Sequence, residues 1–425
     1  MIRLTGADLV LPDRVLTGGT LVIEEDRIVD VLPSARGSSR SGRAEGGERQ
    51  PRGEDSLHVP LDGRYVVPGF IDVHVHGIEG VDALAGSEAI AQISERLAKY
   101  GVTAFCPTSI ACDPETLRRM LAGVRAARTL RAPGGARVLP AHLESNFINP
   151  EYKGAQPLEC LRLPPTVPPD RPKGWLAPLS GKGASHLQEW TGEDILREIA
   201  AARPDVGIVT VAPEVDGVLE LIADLTANGH RVSLGHSGAT YEQALDGIRA
   251  GATQATHLFN RMPPVAHRAP GLAGAVLESD EVTAELICDG VHVHPAMLRV
   301  ALAAKRAERI MAITDGTAGS GLPHGARASL GGRPIRVGDA AYLDDGTIAG
   351  SVLTMDRAFA TLTARGGVSL TDAATVCSTT PARTLGLQGF GVIAPGAIAD
   401  LVVLDRDLRV VQTWIGGTLA FERTG

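Results

Sequence analysis

Apolar residues follow two rhythms along this chain. Near the start, short β-type runs at 9–11, 20–23 and 27–32 are separated by Pro12-Asp13 and Glu24-Glu25-Asp26. Such runs bounded by turn residues predict a small antiparallel sheet. From residue 66 the pattern becomes short apolar strands alternating with helical segments. Strand candidates lie at 71–75, 104–107, 138–142, 208–212, 232–235, 254–257, 284–288 and 311–314. Helices are expected at 89–100, 114–129, 191–202, 215–228, 240–250, 295–305 and 355–364. Eight strand–helix units are the count of a closed (β/α)8 barrel. After 391 the chain returns to β-type runs, and a hairpin insertion is expected near 335–348, turning at Asp345-Gly346. The expectation is an α/β fold: a TIM-type barrel over 67–390 and a small β-sandwich domain formed by the N-terminal segment 1–66 and the C-terminal segment 391–425, because chain ends often lie close together.

Two stretches break the rhythm. Residues 34–56 are dominated by Ser, Arg, Gly and Glu with no large apolar side chain, so they read as a mobile surface loop. The Pro-rich segment 163–178 reads as a long excursion from the alternation.

Length and composition agree with this picture. The chain has 425 residues, 44% of them hydrophobic and 21% charged, as in an ordinary soluble protein of more than one small domain. Aromatics are only 4%, so the core must rest on Ala, Val, Leu and Ile. A net charge of −8 argues against a nucleic-acid partner. The start Met1-Ile-Arg-Leu-Thr-Gly-Ala-Asp has no apolar signal core, and no apolar run is long enough to span a membrane. The five cysteines are sparse, odd in number and without zinc-ribbon spacing, which favours reduced thiols in a cytoplasm.

Candidate chemistry concentrates at the C-terminal ends of the expected strands, where barrel enzymes carry their catalytic groups. The run Val66-Val-Pro-Gly-Phe-Ile-Asp-Val-His-Val-His-Gly77 places His74 and His76 two residues apart, so both point to one face of a strand. The third strand ends in His142-Leu-Glu144, the fifth in Gly235-His236, the sixth in Thr256-His257, the seventh in Asp289-Gly-Val-His292, and the last in Thr314-Asp315. Any one of these histidines is as readily a satisfied core residue as a ligand. Together, Glu144, His236 and His257 offer a carboxylate and two imidazoles, a set that suits zinc with a position open for water. His74 and His76 make a second ion possible, with Glu144 as a candidate bridge. Iron, cobalt or manganese would also be accepted by these donors. A bound divalent ion lowers the pKa of its water to roughly 7, and Asp315 beside it can act as general base and then acid. Arg268, in a loop, is a candidate grip for a substrate anion.

These residues resemble the N-acetylglucosamine-6-phosphate deacetylases of the amidohydrolase superfamily. The resemblance runs over nearly the whole chain. It rests on Pro68-Gly-Phe-Ile-Asp-Val-His-Val-His-Gly77, His142-Leu-Glu144, Phe147-Ile-Asn-Pro150, Lys153-Gly-Ala-Gln156, Val211-Ala-Pro-Glu214 and Gly235-His-Ser-Gly-Ala-Thr-Tyr241. It continues through Thr256-His-Leu-Phe-Asn260, Arg268-Ala-Pro-Gly-Leu-Ala-Gly274, Asp289-Gly-Val-His292, Thr314-Asp315 and Ala349-Gly-Ser351.

The resemblance implies hydrolysis of the acetamide of an amino-sugar phosphate, with metal-bound hydroxide as nucleophile and release of acetate. Glu144, His236 and His257 match the main metal ligands. His74 and His76 match a second site kept by some members, and Asp315 matches the catalytic base and acid. Ala155, Gln156, Asn260, Arg261, Asp289, Gly290, Val291, His292, Ile348, Ala349 and Gly350 fall where the family contacts its substrate. Arg268 matches a phosphate-binding arginine that reaches the neighbouring subunit's site, so a homodimer follows by analogy. Three positions depart from the family pattern around the sugar site: Ser145-Asn146 stand where Gly-Pro is usual, Arg261 replaces a small or uncharged residue, and Gln156 replaces a His of some members. The alternatives are a related amidohydrolase acting on a different N-acyl sugar, a cyclic amide or an N-acyl amino acid, and a non-catalytic barrel scaffold.

Overall fold

A computed structural model describes residues 1–34, 57–130, 134–165 and 190–424. The expected loop 34–56 therefore lies outside the described residues apart from Ser34, as does the Pro-rich excursion from residue 166 onward.

All eight expected barrel strands form. They are β1 (Phe70–Val75), β2 (Val102–Ser109), β3 (Ala141–Glu144), β4 (Val206–Val211), β5 (Arg231–Leu234), β6 (Gln254–Ala255), β7 (Thr283–Ile287) and β8 (Ile310–Ile313). Each pairs in parallel with the next in chain order. The ring closes between β8 and β1, where Asp315 N donates to His74 O at 2.9 Å and Val75 bridges Gly316. These strands are largely apolar and almost entirely buried, because helices cover the outside of the ring.

Seven helices follow the expected amphipathic segments: α1 (Ser87–Leu97), α2 (Pro114–Thr129), α3 (Gly192–Ala201), α4 (Val218–Ala227), α5 (Tyr241–Arg249), α7 (Pro295–Lys305) and α8 (Met355–Thr361). Their starts are marked in the sequence. Asp113 caps α2 ahead of Pro114, and Thr240 with Gln243 forms a capping box on α5.

Two of the differences from the sequence expectation bear on the barrel strands and what joins them. The run 138–142 is not one strand: Arg137–Val138 pairs with β2, and β3 begins at Ala141 after Pro140, which has no N–H to give the ladder. An eighth helix, α6 (Gly271–Glu278), stands between β6 and β7. Its sequence Gly-Leu-Ala-Gly-Ala-Val-Leu-Glu is apolar nearly all round and shows no helical stripe.

The terminal segments form one hydrogen-bonded sheet of eight strands. In it Leu401–Leu404 lies antiparallel to Tyr65–Pro68, joining the two ends of the chain. This sheet has its own core, with Leu4, Leu9, Leu21, Ile23, Val66 and Trp414 among its members. Tyr65–Pro68 runs straight into β1, so the sheet anchors the first barrel strand. A buried clamp ties the two units together: Arg137 donates to both carboxylate oxygens of Asp400, at 3.0 and 2.9 Å.

The expected hairpin is the second half of a three-stranded antiparallel sheet, Arg327–Leu330, Arg333–Val337 and Ala341–Tyr342. Its last turn is tied by Leu343 N to Thr347 O and bridges Tyr342 to Ile348. No helix among the described residues is long and apolar enough to cross a membrane.

Candidate active site

At the C-terminal mouth of the barrel, four imidazoles and two carboxylates converge, each almost wholly buried. Glu144 Oε1 lies 3.0 Å from His236 Nε2 and 3.0 Å from His257 Nε2, and the two nitrogens are 3.0 Å apart. A second triad sits beside it. His74 Nε2 is 3.2 Å from His76 Nε2 and 3.4 Å from Asp315 Oδ1, which is 3.2 Å from His76 Nε2. The triads touch through Glu144, whose Oε1 is 3.5 Å from His74 Nε2 and whose Oε2 is 3.6 Å from His76 Nε2.

The backbone turns sharply to bring these groups inward. His236, His257 and Asp315 have φ of 49°, 32° and 47°, in the left-handed region where a side chain costs roughly 1–3 kcal/mol. The surroundings hold them there. Asn149 N donates to His236 O, and Ser351 N donates to Asp315 O at 2.8 Å. Ile348–Gly350 is laid directly against the Asp315 turn. Gly350 has φ 77°, and a Cβ there would come within 2.9 Å of Asp315 O.

The outer ring nitrogens are also assigned work. His236 Nδ1 donates to Tyr152 O at 2.9 Å and His76 Nδ1 to Thr108 O at 3.2 Å, which fixes the tautomers that aim Nε2 lone pairs into the cluster. His74 Nδ1 instead meets a carboxylate, Glu285 Oε2, at 2.9 Å.

Lone pairs and carboxylates this close repel one another unless a cation sits among them. Zinc–nitrogen bonds of about 2.0–2.1 Å imply tetrahedral ligand–ligand edges of roughly 3.3 Å. The two triads, with edges of 3.0 to 3.4 Å, fit that requirement. A third grouping, His74, His142 and Glu285, does not fit. Both His142 nitrogens are engaged, with Val73 O at 3.0 Å and Thr210 Oγ1 at 2.8 Å.

The protein's own electrostatics lean the same way. Burial opposes charge on His257, yet Glu144 outweighs it and pushes the imidazole up to about 9. Burial favours a neutral Glu144, but the neighbouring imidazoles hold it well below the usual carboxylate range. Asp315 is likewise held down by His74 and His76 against burial. Desolvation is the main cause that drives His74 down to about 4, helped by the neighbouring His76 and His257, and Glu285 up to about 7, helped by Glu144.

A cleft of about 440 Å³ opens over the cluster. Of the expected substrate residues, Ala155, Gln156, Asn260, Arg261, Val291, His292, Ile348 and Gly350 line it. Asp289 stands behind, accepting from His292 Nδ1 at 2.6 Å and from the backbone of Val291 and His292, and Gly290 forms the turn between them. Ala349 is wholly buried and pairs its N–H with Ala341 O. Arg268 does not line the cleft of its own chain; it is exposed on a tight turn closed by Ala266 and Ala269.

The departures from the family pattern resolve into different roles. Ser145 and Asn146 lie outside the cleft wall. Ser145 Oγ donates to Thr210 O, and Asn146 Nδ2 to the carbonyls of Cys112 and Cys160, so they brace the loop after β3. Gln156 divides its amide between Glu144 Oε2 and Ala111 N, and orients the carboxylate. Arg261 alone faces the mouth, exposed and stacked over Gly154.

Sequence reasoning missed Glu285 and Asp72. Asp72 accepts from Thr314 Oγ1 at 2.5 Å and from His74 N at 3.2 Å, and burial raises it to about 7. The available signal was a lone carboxylate inside an otherwise apolar barrel strand. Tyr152, Phe259 and Met262, which also line the cleft, carry no such signal.

Comparison with known proteins fits this geometry. Residues 65–420 match the amidohydrolase family. The chain is 36% identical over 425 residues to the N-acetylglucosamine-6-phosphate deacetylase of Rattus norvegicus, covering 96% of this chain and 94% of the relative. It is 34% identical over 362 residues to the N-acetylgalactosamine-6-phosphate deacetylase of Escherichia coli O157:H7, covering 84% of this chain and 88% of that protein. A mutant N-acetyl-D-glucosamine-6-phosphate deacetylase from Mycobacterium smegmatis, solved in complex with N-acetyl-D-glucosamine-6-phosphate, superposes with a TM-score of 0.81 at 33% identity over 99% of each chain. With its barrel, its paired triads and these relatives, the chain belongs to the amidohydrolase family, in the group that holds the N-acetylglucosamine-6-phosphate deacetylases.

Proposed function

We propose that this protein is a divalent-metal-dependent deacetylase that converts N-acetylglucosamine 6-phosphate to glucosamine 6-phosphate and acetate. The observation that carries the reading is the pair of triads at the floor of the cleft, with Asp315 lining the cleft beside Glu144, His76, His236 and His257. Glu144, His236 and His257 would hold the tighter ion, and His74 and His76 with Asp315 a second. The imidazole-rich donor set favours zinc. When bound, a divalent ion supplies Lewis acidity, polarising the amide oxygen and making water acidic enough to attack near neutral pH.

The chain's own residues supply the remainder. Asp315, ionised and buried, takes a proton from the attacking water and delivers it to the leaving nitrogen. His292, pinned through Nδ1 by Asp289, lines the cleft, and its buried Nε2 has no partner among the described residues, which leaves it free for a sugar hydroxyl. Asn260 is fixed at the wall by its bonds to the carbonyls of His257 and Leu258. Arg261 offers a positive contact at the mouth.

Arg268, exposed and away from its own cleft, supports a homodimer in which it grips the phosphate in the neighbouring subunit. The change from terminal sheet to barrel and back supports a division near 1–66, 67–390 and 391–425, with the strand Tyr65–Pro68 lying across the first boundary. Five unpaired cysteines, four of them buried, suit a reducing cytoplasm.

The test is acetate release from N-acetylglucosamine 6-phosphate by zinc-loaded protein. No release, alongside good turnover of an unphosphorylated amide, refutes the substrate assignment. The 34% identity to a galactosamine-type relative makes the 4-epimer the second substrate to assay.

A further inference from the structure

We infer that Glu285 is a positioning residue that turns His74 into a metal ligand and so sets the affinity for the second ion. The inference rests on the two-ion reading above and deepens it.

Glu285 sits in the middle of β7, wholly buried, in the run Thr-Ala-Glu-Leu-Ile. An ionised carboxylate in such a place is costly by several kcal/mol unless it is well paired. Its pairing is concentrated on one partner. Oε2 meets His74 Nδ1 at 2.9 Å and makes only a long 3.4 Å contact with His257 N. Oε1 has no hydrogen-bond partner among the described residues; His142 Nδ1, 3.6 Å away, is committed to Val73 O. A group retained only to fill the barrel would be apolar, or would have both oxygens satisfied.

What Glu285 does is visible by contrast among the four imidazoles. His76 and His236 are held by neutral carbonyls, and His257 Nδ1 has no partner among the described residues. Only His74 is backed by a carboxylate. Such backing fixes ring orientation and tautomer and makes the opposite nitrogen a better donor to a metal. That opposite nitrogen, His74 Nε2, faces His76 and Asp315 at 3.2 and 3.4 Å. Glu285 does not line the cleft, so it acts through His74 and not on the substrate.

The experiment is zinc titration of metal-free protein, with zinc content measured after dialysis, on the full chain and on Glu285→Gln. The natural protein should take up two ions of unequal affinity. Glu285→Gln should keep the tighter ion unchanged and bind the weaker one roughly 10- to 100-fold less tightly. In a His74→Ala background the same change should have no further effect. Glu285→Asp, which keeps the charge and shortens its reach, should also lose the weaker ion, and it serves if the Gln variant does not fold. Unchanged affinity for both ions, an equal loss of both, or a further loss in the His74→Ala background overturns the assignment. A natural protein that takes up one ion overturns it together with the two-ion count. Because the readout is metal uptake, failure of acetate release would be seen separately and would bear on the deacetylase reading alone.

Discussion

Replacing Asp315 by Asn separates proton transfer from binding of the tighter ion, which Asp315 does not hold. The two side chains are nearly isosteric, and Asn tolerates the left-handed backbone at φ 47° better than most residues, so the turn should stay intact. The backbone bonds from Asp315 N to His74 O and from Ser351 N to Asp315 O are untouched. What disappears is a buried carboxylate held below the usual range by His74 and His76 against burial, and hence ionised and able to accept a proton. General acid–base catalysis contributes about 10²–10⁴-fold, or roughly 3–5.5 kcal/mol of barrel-site barrier lowering. The expected Asp315→Asn enzyme has kcat down by about that factor, KM for the sugar phosphate nearly unchanged, and one zinc retained by Glu144, His236 and His257. Initial rates of acetate release and zinc analysis on the same preparation measure all three. A kcat within about tenfold of the parent refutes the proton-transfer role. Loss of the tighter ion in step with kcat would make Asp315 a ligand first and a base second.

Three other substitutions probe separate parts of the argument. Arg268→Ala should raise KM for the phosphorylated sugar by about 10- to 100-fold and leave an unphosphorylated analogue unaffected, since a lost charge-assisted contact is worth roughly 1.5–3 kcal/mol; equal effects on both ligands would exclude a phosphate role. Arg137→Ala strands the buried Asp400 carboxylate and should destabilise the fold by about 3–5 kcal/mol in urea unfolding, whereas a small loss would mean the clamp is dispensable. Gly350→Ala puts a methyl group against the Asp315 carbonyl in a left-handed conformation, and should lower both melting temperature and kcat; a fully active variant would show the turn to be pliable.

Much of the barrel was legible because short apolar runs and amphipathic segments alternate with little interference. The exceptions have local causes. Pro140 splits one apolar run into two strands, and the small, uniformly apolar residues of α6 present no polar face for a periodicity to reveal. The site was legible where its residues stand at strand ends, as His236, His257 and Asp315 do. It was not legible where a polar residue sits inside an apolar run: Glu285 and Asp72 look like interruptions until the ring closes around them. Neither could sequence show that Ser145 and Asn146 turn toward backbone carbonyls and Gln156 toward Glu144, because the direction of a loop side chain depends on which carbonyls the fold leaves unpaired.

The seam between β8 and β1 ties closure of the barrel to the placement of Asp315. Asp72 and Thr314 are 242 residues apart in the chain, yet their side-chain hydrogen bond and the pairing of Asp315 with His74 are what close the ring. The same seam sets the turn that aims Asp315 toward His74 and His76. Glu144, His236 and His257 stand at the ends of other strands, so a change at Asp72 or Thr314 that loosens the seam should displace Asp315 and leave that triad in place.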